Sequence, residues 1–344
     1  MPFWLNIVVS FIAFGITAIS GFFLVPYLRK IKVGQTILDI GPKWHKKKEG
    51  TPTMGGVMFI FGVTVAVIFG YFALKGSSVS EINYLSDKAG LKLLVGFIMT
   101  LLFMLVGFVD DYIKVVKKRN LGLKAKQKLV FQILIAIGYL VALRFIDDKT
   151  TSIPLPFFGN VNFGILYYPI MVLFIIFMVN SVNLNDGIDG LCSSVTLVAS
   201  LGFATMFMYM ENYAYSVFAF ALAGGCLGFL LWNLNPAKIF MGDTGSMFLG
   251  GAVVALSFAT GHPLIIIIVG IIYVVESLSV ILQVISFKTT GKRIFKMSPI
   301  HHHFEMSGWN EYKIVIVFSL ITLIASSVSV YYYINVASNI ISVS

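Results

Sequence analysis

The sequence predicts an all-α integral membrane protein of ten transmembrane helices, with both termini extracytoplasmic and an active-site cleft on the cytoplasmic face. Three observations carry that expectation. Hydrophobic residues make up 58% of the 344 residues and charged residues only 12%, against about 25% charged in globular domains. Apolar runs of about 20 residues recur along the chain, the length a helix needs to cross roughly 30 Å of hydrocarbon. Basic residues gather in alternate connections between those runs, the asymmetry that orients membrane proteins.

The first run, near 4–27, is longer than a signal-peptide core and has no basic stretch before it, so it reads as a retained span. Further runs lie near 55–74, 91–112, 129–146, 163–183, 190–209, 215–233, 246–261, 264–286 and 314–335. Ten spans put both termini on one side. The connection after the first run holds Arg29, Lys30, Lys32, Lys43, Lys46, Lys47 and Lys48, and the one after the third holds Lys114, Lys117, Lys118, Arg119, Lys124, Lys126 and Lys128. With Lys238, Lys288, Lys292, Arg293, Lys296 and Lys313, the odd-to-even connections carry 20 of the 25 basic residues. Only Lys75, Lys88, Lys92, Arg144 and Lys149 fall on the other side, so the rich side is cytoplasmic. The same distribution explains the net charge of +10 without a nucleic-acid partner. Cys192 and Cys226 lie within apolar runs and read as small core residues. No repeat or linker divides the chain, which reads as a single membrane domain over 1–344.

The acidic residues follow the same asymmetry. Asp110 and Asp111 close the third run, with Lys114 one helical turn from Asp110. Adjacent carboxylates repel, which raises one pKa or recruits a cation and suits a general base or a nucleophile. The string Asn183-Leu184-Asn185-Asp186-Gly187-Ile188-Asp189-Gly190 follows the fifth run; if helical, it aims Asp186 and Asp189 from one face. A plain glycine turn accounts for the glycines but not for two carboxylates beside Asn183. Asn233 to Ser246 forms a short connection with Asp243 among hydroxyls, oxygen ligands that suit Mg²⁺ once phosphate oxygens are present, although turn formation explains the same residue types. Lys46-Lys47-Lys48 leads into Thr51-Pro52-Thr53-Met54-Gly55-Gly56: lysines that serve as lipid anchors, then a glycine-rich helix start that suits an anion. His301, His302 and His303 are consecutive and point in different directions, a poor zinc site and a better set of phosphate donors. Glu276 lies inside the ninth run, with Gln283 two turns later. An acid there belongs on the bundle interior, where a structural role is equally open.

Taken in order, the Lys48-to-Gly56 string, Asp110-Asp111 with Lys114 and Lys126, Asn183 to Gly190, Asn233 to Ser246, and Pro299 with the three histidines and Glu305 resemble the polyprenyl-phosphate N-acetylhexosamine-1-phosphate transferases. The Thr51-to-Gly56 and Pro299-to-Glu305 strings are similar to its muramoyl branch, while Asn185 stands where threonine is usual and Ser298 where alanine is common. The resemblance implies a plasma-membrane enzyme of ten spans and a Mg²⁺ cofactor. It implies transfer of phospho-MurNAc-pentapeptide from UDP-MurNAc-pentapeptide to undecaprenyl phosphate, giving lipid I and UMP for peptidoglycan synthesis. Carried over by position, Asp110 is the base or nucleophile, Asp243 the metal ligand and Asp111 a supporting carboxylate. Lys114, Lys126 and the histidines neutralise charge, and Gln283 with the histidines faces the sugar phosphate. Lys48, Thr53, Asn183, Asp186, Asp189, Asn233 and Phe240 form the uridine site. The alternatives are the related transfer from UDP-GlcNAc and a lipid flippase or transporter, whose acids belong near the midplane. A homodimer through membrane helices is the base-rate expectation.

Overall fold

The computed structural model describes residues 2–30, 48–76, 87–117, 121–146, 150–155 and 159–337. Of the connecting residues counted above, Lys32, Lys43, Lys46, Lys47, Lys118, Arg119 and Lys149 lie outside the described residues.

Among the described residues, ten long helices match the ten apolar runs. They are α1 (Pro2–Lys30), α2 (Gly56–Gly76), α3 (Asp87–Val116), α4 (Ala125–Phe145), α5 (Tyr167–Leu184), α6 (Leu191–Tyr209), α7 (Tyr213–Asn233), α8 (Gly242–Ala259), α10 (Ile271–Thr290) and α12 (Glu311–Tyr332), with the short α9 (Ile266–Val269) and α11 (Ile300–Glu305) between them. Among the described residues, nine are long and apolar enough to cross a membrane. The tenth long helix, α8, begins with the polar Gly242-Asp243-Thr244-Gly245-Ser246 and is buried without a break from Thr244 to Phe258. Its neighbours α3, α5 and α2 pack around it. The chain is therefore an all-α multi-pass membrane protein with one helix held inside the others.

Local chemistry sets the departures from the predicted runs. The ninth run breaks at Gly270, whose backbone leaves the helical region at φ −102° and ψ 34°, so α9 ends there and α10 starts afresh. Before α5 the chain forms an antiparallel hairpin of β1 (Ser152–Leu155) and β2 (Gly159–Asn162), paired from Ser152 with Asn162 to Leu155 with Gly159. Residues 185–190 are turns, not helix, and Gly190 takes a left-handed φ of 80°.

Small residues let the helices meet closely at the end where α3 finishes and α8 starts, as membrane bundles generally require. A Cβ on Gly107 would stand 2.1 Å from the carbonyl oxygen of Asp243. Any side chain there would push α3 away from the first turn of α8.

Candidate active site

The centre is built from the end of α3, the start of α4 and the start of α8. Asp110, Asp111 and Asp243 bring carboxylate oxygens within 4.8 Å of one another. Asp110 and Asp111 are buried, whereas the Asp243 side chain keeps 23% of its surface open. Three carboxylates so close repel, and the structure answers with two ammonium groups. Lys114 reaches Asp110 at 2.6 Å, Asp243 at 3.3 Å and Asp111 at 3.6 Å, and Lys128 reaches Asp243 at 2.8 Å.

Each aspartate has a different task. Asp111 accepts hydrogen bonds from the backbone N–H of Asp243 (3.2 Å) and from the N–H (2.8 Å) and hydroxyl (2.7 Å) of Thr244. It thus caps α8 from another helix, satisfying orphan donors and opposing the positive helix end. Asp110 accepts from the backbone N–H of Leu123 at 2.8 Å, which ties the α3–α4 connection to the cluster. Asp243 also accepts from Asn183 Nδ2 at 3.2 Å, and the same amide donates to Ser246 Oγ at 2.7 Å. Asp243 is the aspartate both open to solvent and held by cations.

The expected donor-binding residues surround this centre. Asp186 is half-buried on its turn; desolvation of its carboxyl and the negative charges of Asp243, Asp111 and Asp189 push its pKa well above the usual carboxylate value. Asp189 turns the other way. It accepts from Lys48 Nζ at 2.7 Å, Asn235 Nδ2 at 3.1 Å and the Ala237 N–H at 2.9 Å. Asn233 accepts from the Gly190 N–H (3.1 Å) and donates to the Ile239 carbonyl (3.0 Å), stapling the two connections together. Phe240, half-buried, donates its N–H to Pro52 O and accepts from the Gly55 N–H, both at 2.8 Å. Thr53 lies beside Gly242, so its string runs along the start of α8.

The histidines take different polar partners, although the His301 and His302 rings pack with centroids 4.2 Å apart. His303 accepts from the Lys296 N–H at 3.1 Å, His302 lies 2.6 Å from Glu305, and His301 is fully buried 3.0 Å from Glu276. Gln283 donates to the Phe295 carbonyl and accepts from the N–H groups of Ile294 and Phe295, holding the connection before α11.

Two site residues escape the sequence reading. Lys128, not the exposed Lys126, contacts Asp243. Residues two apart on a helix face different ways, and Lys128 heads the stripe Gln132, Ala136, Leu140 and Leu143 that α4 buries. That spacing is the signal that distinguishes it. Glu311 is the other: its carboxylate contacts Lys48 Nζ at 2.6 Å and accepts the Asp189 N–H at 3.0 Å.

Comparison with known proteins bears on the same residues. The model for glycosyl transferase family 4 matches residues 93–261, and that for phospho-N-acetylmuramoyl-pentapeptide-transferase signature 1 matches residues 48–60. A phospho-N-acetylmuramoyl-pentapeptide-transferase of Caldanaerobacter subterraneus subsp. tengcongensis is 47% identical over 94% of this chain and 96% of its own length. The chain belongs to the phospho-N-acetylmuramoyl-pentapeptide-transferase family. Proteins of that name from Acetivibrio thermocellus and Halalkalibacterium halodurans are 47% and 41% identical over 93% and 95% of this chain, covering 92% and 96% of their own lengths. The family signature holds Lys48 and the Thr51-to-Gly56 string. The broader match contains all three clustered aspartates with Asn183, Asp186, Asp189 and Asn233.

The donor set fits a divalent cation. Mg²⁺ is held by one or two carboxylates, with phosphate oxygens and water completing six oxygens. Asp243 presents an accessible carboxylate, with Asp110 beside it, and the two lysines already stand where positive charge is needed.

Proposed function

We propose that this enzyme transfers phospho-MurNAc-pentapeptide from UDP-MurNAc-pentapeptide to undecaprenyl phosphate, forming lipid I and releasing UMP, at the cytoplasmic face of the plasma membrane. The observation that carries the reading is the meeting of Asp110, Asp111, Asp243, Lys114 and Lys128 within one cluster at one end of the bundle. We further read α8 as the tenth span and both termini as extracytoplasmic. Support comes from Lys48, Leu123, Asn183, Asn235 and the 291–305 connection, which all join the same end where most basic residues lie.

The reaction asks a lipid phosphate oxygen to form a bond to the sugar-linked phosphorus of the donor while the bond from that phosphorus to the UMP oxygen breaks. Both partners are anionic, so charge neutralisation and alignment dominate. Lys114 and Lys128 supply two positive charges at the cluster, and Asp110 removes any proton left on the lipid phosphate. Asp111 keeps the start of α8 in place, so that Asp243 is presented at a fixed angle. Asp243 would hold Mg²⁺, which supplies further charge neutralisation on the diphosphate. The turn carrying Asp186 and the Lys48–Asp189 pair receive the uridine end of the donor.

In direct attack, no phosphorylated protein forms. Rapid-quench trapping of phospho-MurNAc-pentapeptide on Asp110, with UMP already released, would replace that route with a two-step one. Donor choice is tested with detergent-solubilised protein, Mg²⁺ and polyprenyl phosphate, measuring UMP. Release with the muramoyl-pentapeptide donor is expected; release with UDP-GlcNAc alone would overturn the substrate assignment.

A further inference from the structure

Glu276 has no part in the reaction described above, yet it is a carboxyl group inside α10 with 0% of its surface exposed. An ionised carboxylate buried without a partner costs several kcal/mol, and intramembrane acids persist where they have a task. Its partner is His301, also 0% exposed, with Nδ1 3.0 Å from Glu276 Oε2. The two approach without hydrogen-bond geometry, neither side chain has a hydrogen-bond partner among the described residues, and the His301 ring also packs on that of His302 with centroids 4.2 Å apart. The far edge of the ring is equally constrained. A Cβ built on Gly187 would stand 2.1 Å from His301 Nε2, so the ring lies directly against the backbone of that turn. Ser277, next to Glu276, donates to Ser181 Oγ at 2.6 Å and fixes α10 against α5, the helix that feeds the turn. Carboxylate, imidazole and turn therefore form one stack, ending between Asp186 and Asp189.

We propose that Glu276 is a positioning residue: its buried carboxyl, 3.0 Å from Nδ1, holds the His301 ring in place by polar contact, and His301 braces the Asp186–Gly187 turn in the shape that receives the donor. The proposal rests on the donor-binding reading of that turn. A carboxamide has the same shape and keeps a polar oxygen against Nδ1, so Gln at 276 preserves the brace and Leu removes it. Displacement of an aligned group by about 1 Å costs up to two orders of magnitude, and here the loss falls on donor binding.

The test is steady-state kinetics on the full-length protein in detergent, varying UDP-MurNAc-pentapeptide and polyprenyl phosphate separately. Glu276→Leu is expected to raise the donor KM by about tenfold or more, with kcat and the acceptor KM within about threefold; Glu276→Gln stays near wild type. Gly187→Ala, which pushes the ring from the opposite side, is expected to raise the donor KM in the same way and decides the matter if Glu276→Leu does not fold. An unchanged donor KM in Glu276→Leu, or in Gly187→Ala, overturns the proposal, as does an equal rise in both KM values. ¹⁵N-histidine NMR provides a readout independent of turnover: the His301 resonances should move in Glu276→Leu and not in Glu276→Gln. If the wild type turns over neither donor, the transferase reading fails while the NMR still reports on the brace.

Discussion

Lys48→Met tests the ion network at the family signature. The Lys48 ammonium is 18% exposed and lies 2.7 Å from Asp189 Oδ1 and 2.6 Å from Glu311 Oε1. Each contact has a gross attraction of about 6 kcal/mol at an effective dielectric of 20, most of it offset by desolvation. Removing one partner of a buried pair costs about 3–5 kcal/mol, because the opposing charge is left uncompensated. Here the lower end applies, about 3 kcal/mol, since Lys48 keeps some contact with water. An unfolding entropy of about 2.1 cal/mol/K per residue gives roughly 0.7 kcal/mol/K for this chain, so Tm should fall by about 4 °C. The assay is tryptophan-fluorescence unfolding in detergent, without substrate. The double variant Lys48→Met/Glu311→Gln should recover most of the loss, since Asp189 still accepts from Asn235 and Ala237. An unchanged Tm in Lys48→Met, or a double variant no more stable than the single, refutes the reasoning.

Asp243→Asn should lower kcat by about 10²-fold or more, the scale of losing one preorganised charged group at a reacting centre, while the protein still elutes as a folded species on size exclusion; wild-type turnover would remove the metal assignment. Lys128→Met should cost about 10²-fold in kcat/KM and Lys126→Met far less, and the reverse order would return the role to Lys126. Asp186 carries a raised pKa, so folding disfavours its ionisation: stability is full below the unfolded value of 3.8 and is lost as pH rises from there through the folded value. Asp186→Asn should therefore unfold at a higher temperature than the parent at about pH 8, with the gap closing towards pH 4; a gap that widens on acidification contradicts the sign.

Much of this architecture was legible because hydrocarbon imposes a length, and among the described residues each apolar run lies in a long helix, nine of them long and apolar enough to cross. Charge asymmetry brought the aspartates to one set of connections, and the structure joins Asp110, Asp111 and Asp243 there. What stayed hidden depends on spatial partners with no fixed sequence spacing. Glu311 reads as an ordinary first-turn acid following the Asn310 cap, and only contact with Lys48 and the Asp189 N–H reveals its second use. Asp111 looks interchangeable with Asp110 in sequence, yet it caps α8 from across the bundle. The break at Gly270 sits in a run of isoleucine and valine that periodicity reads straight through.

Because α8 is covered by protein from Thr244 to Phe258, it has no surface on which acyl chains can pull. Changes in bilayer thickness or lateral pressure act on the outer helices first, and the carboxylate at Asp243 is mounted on the element most insulated from them. The outer helices meet such changes first, while the helix that presents Asp243 is shielded from direct contact with acyl chains.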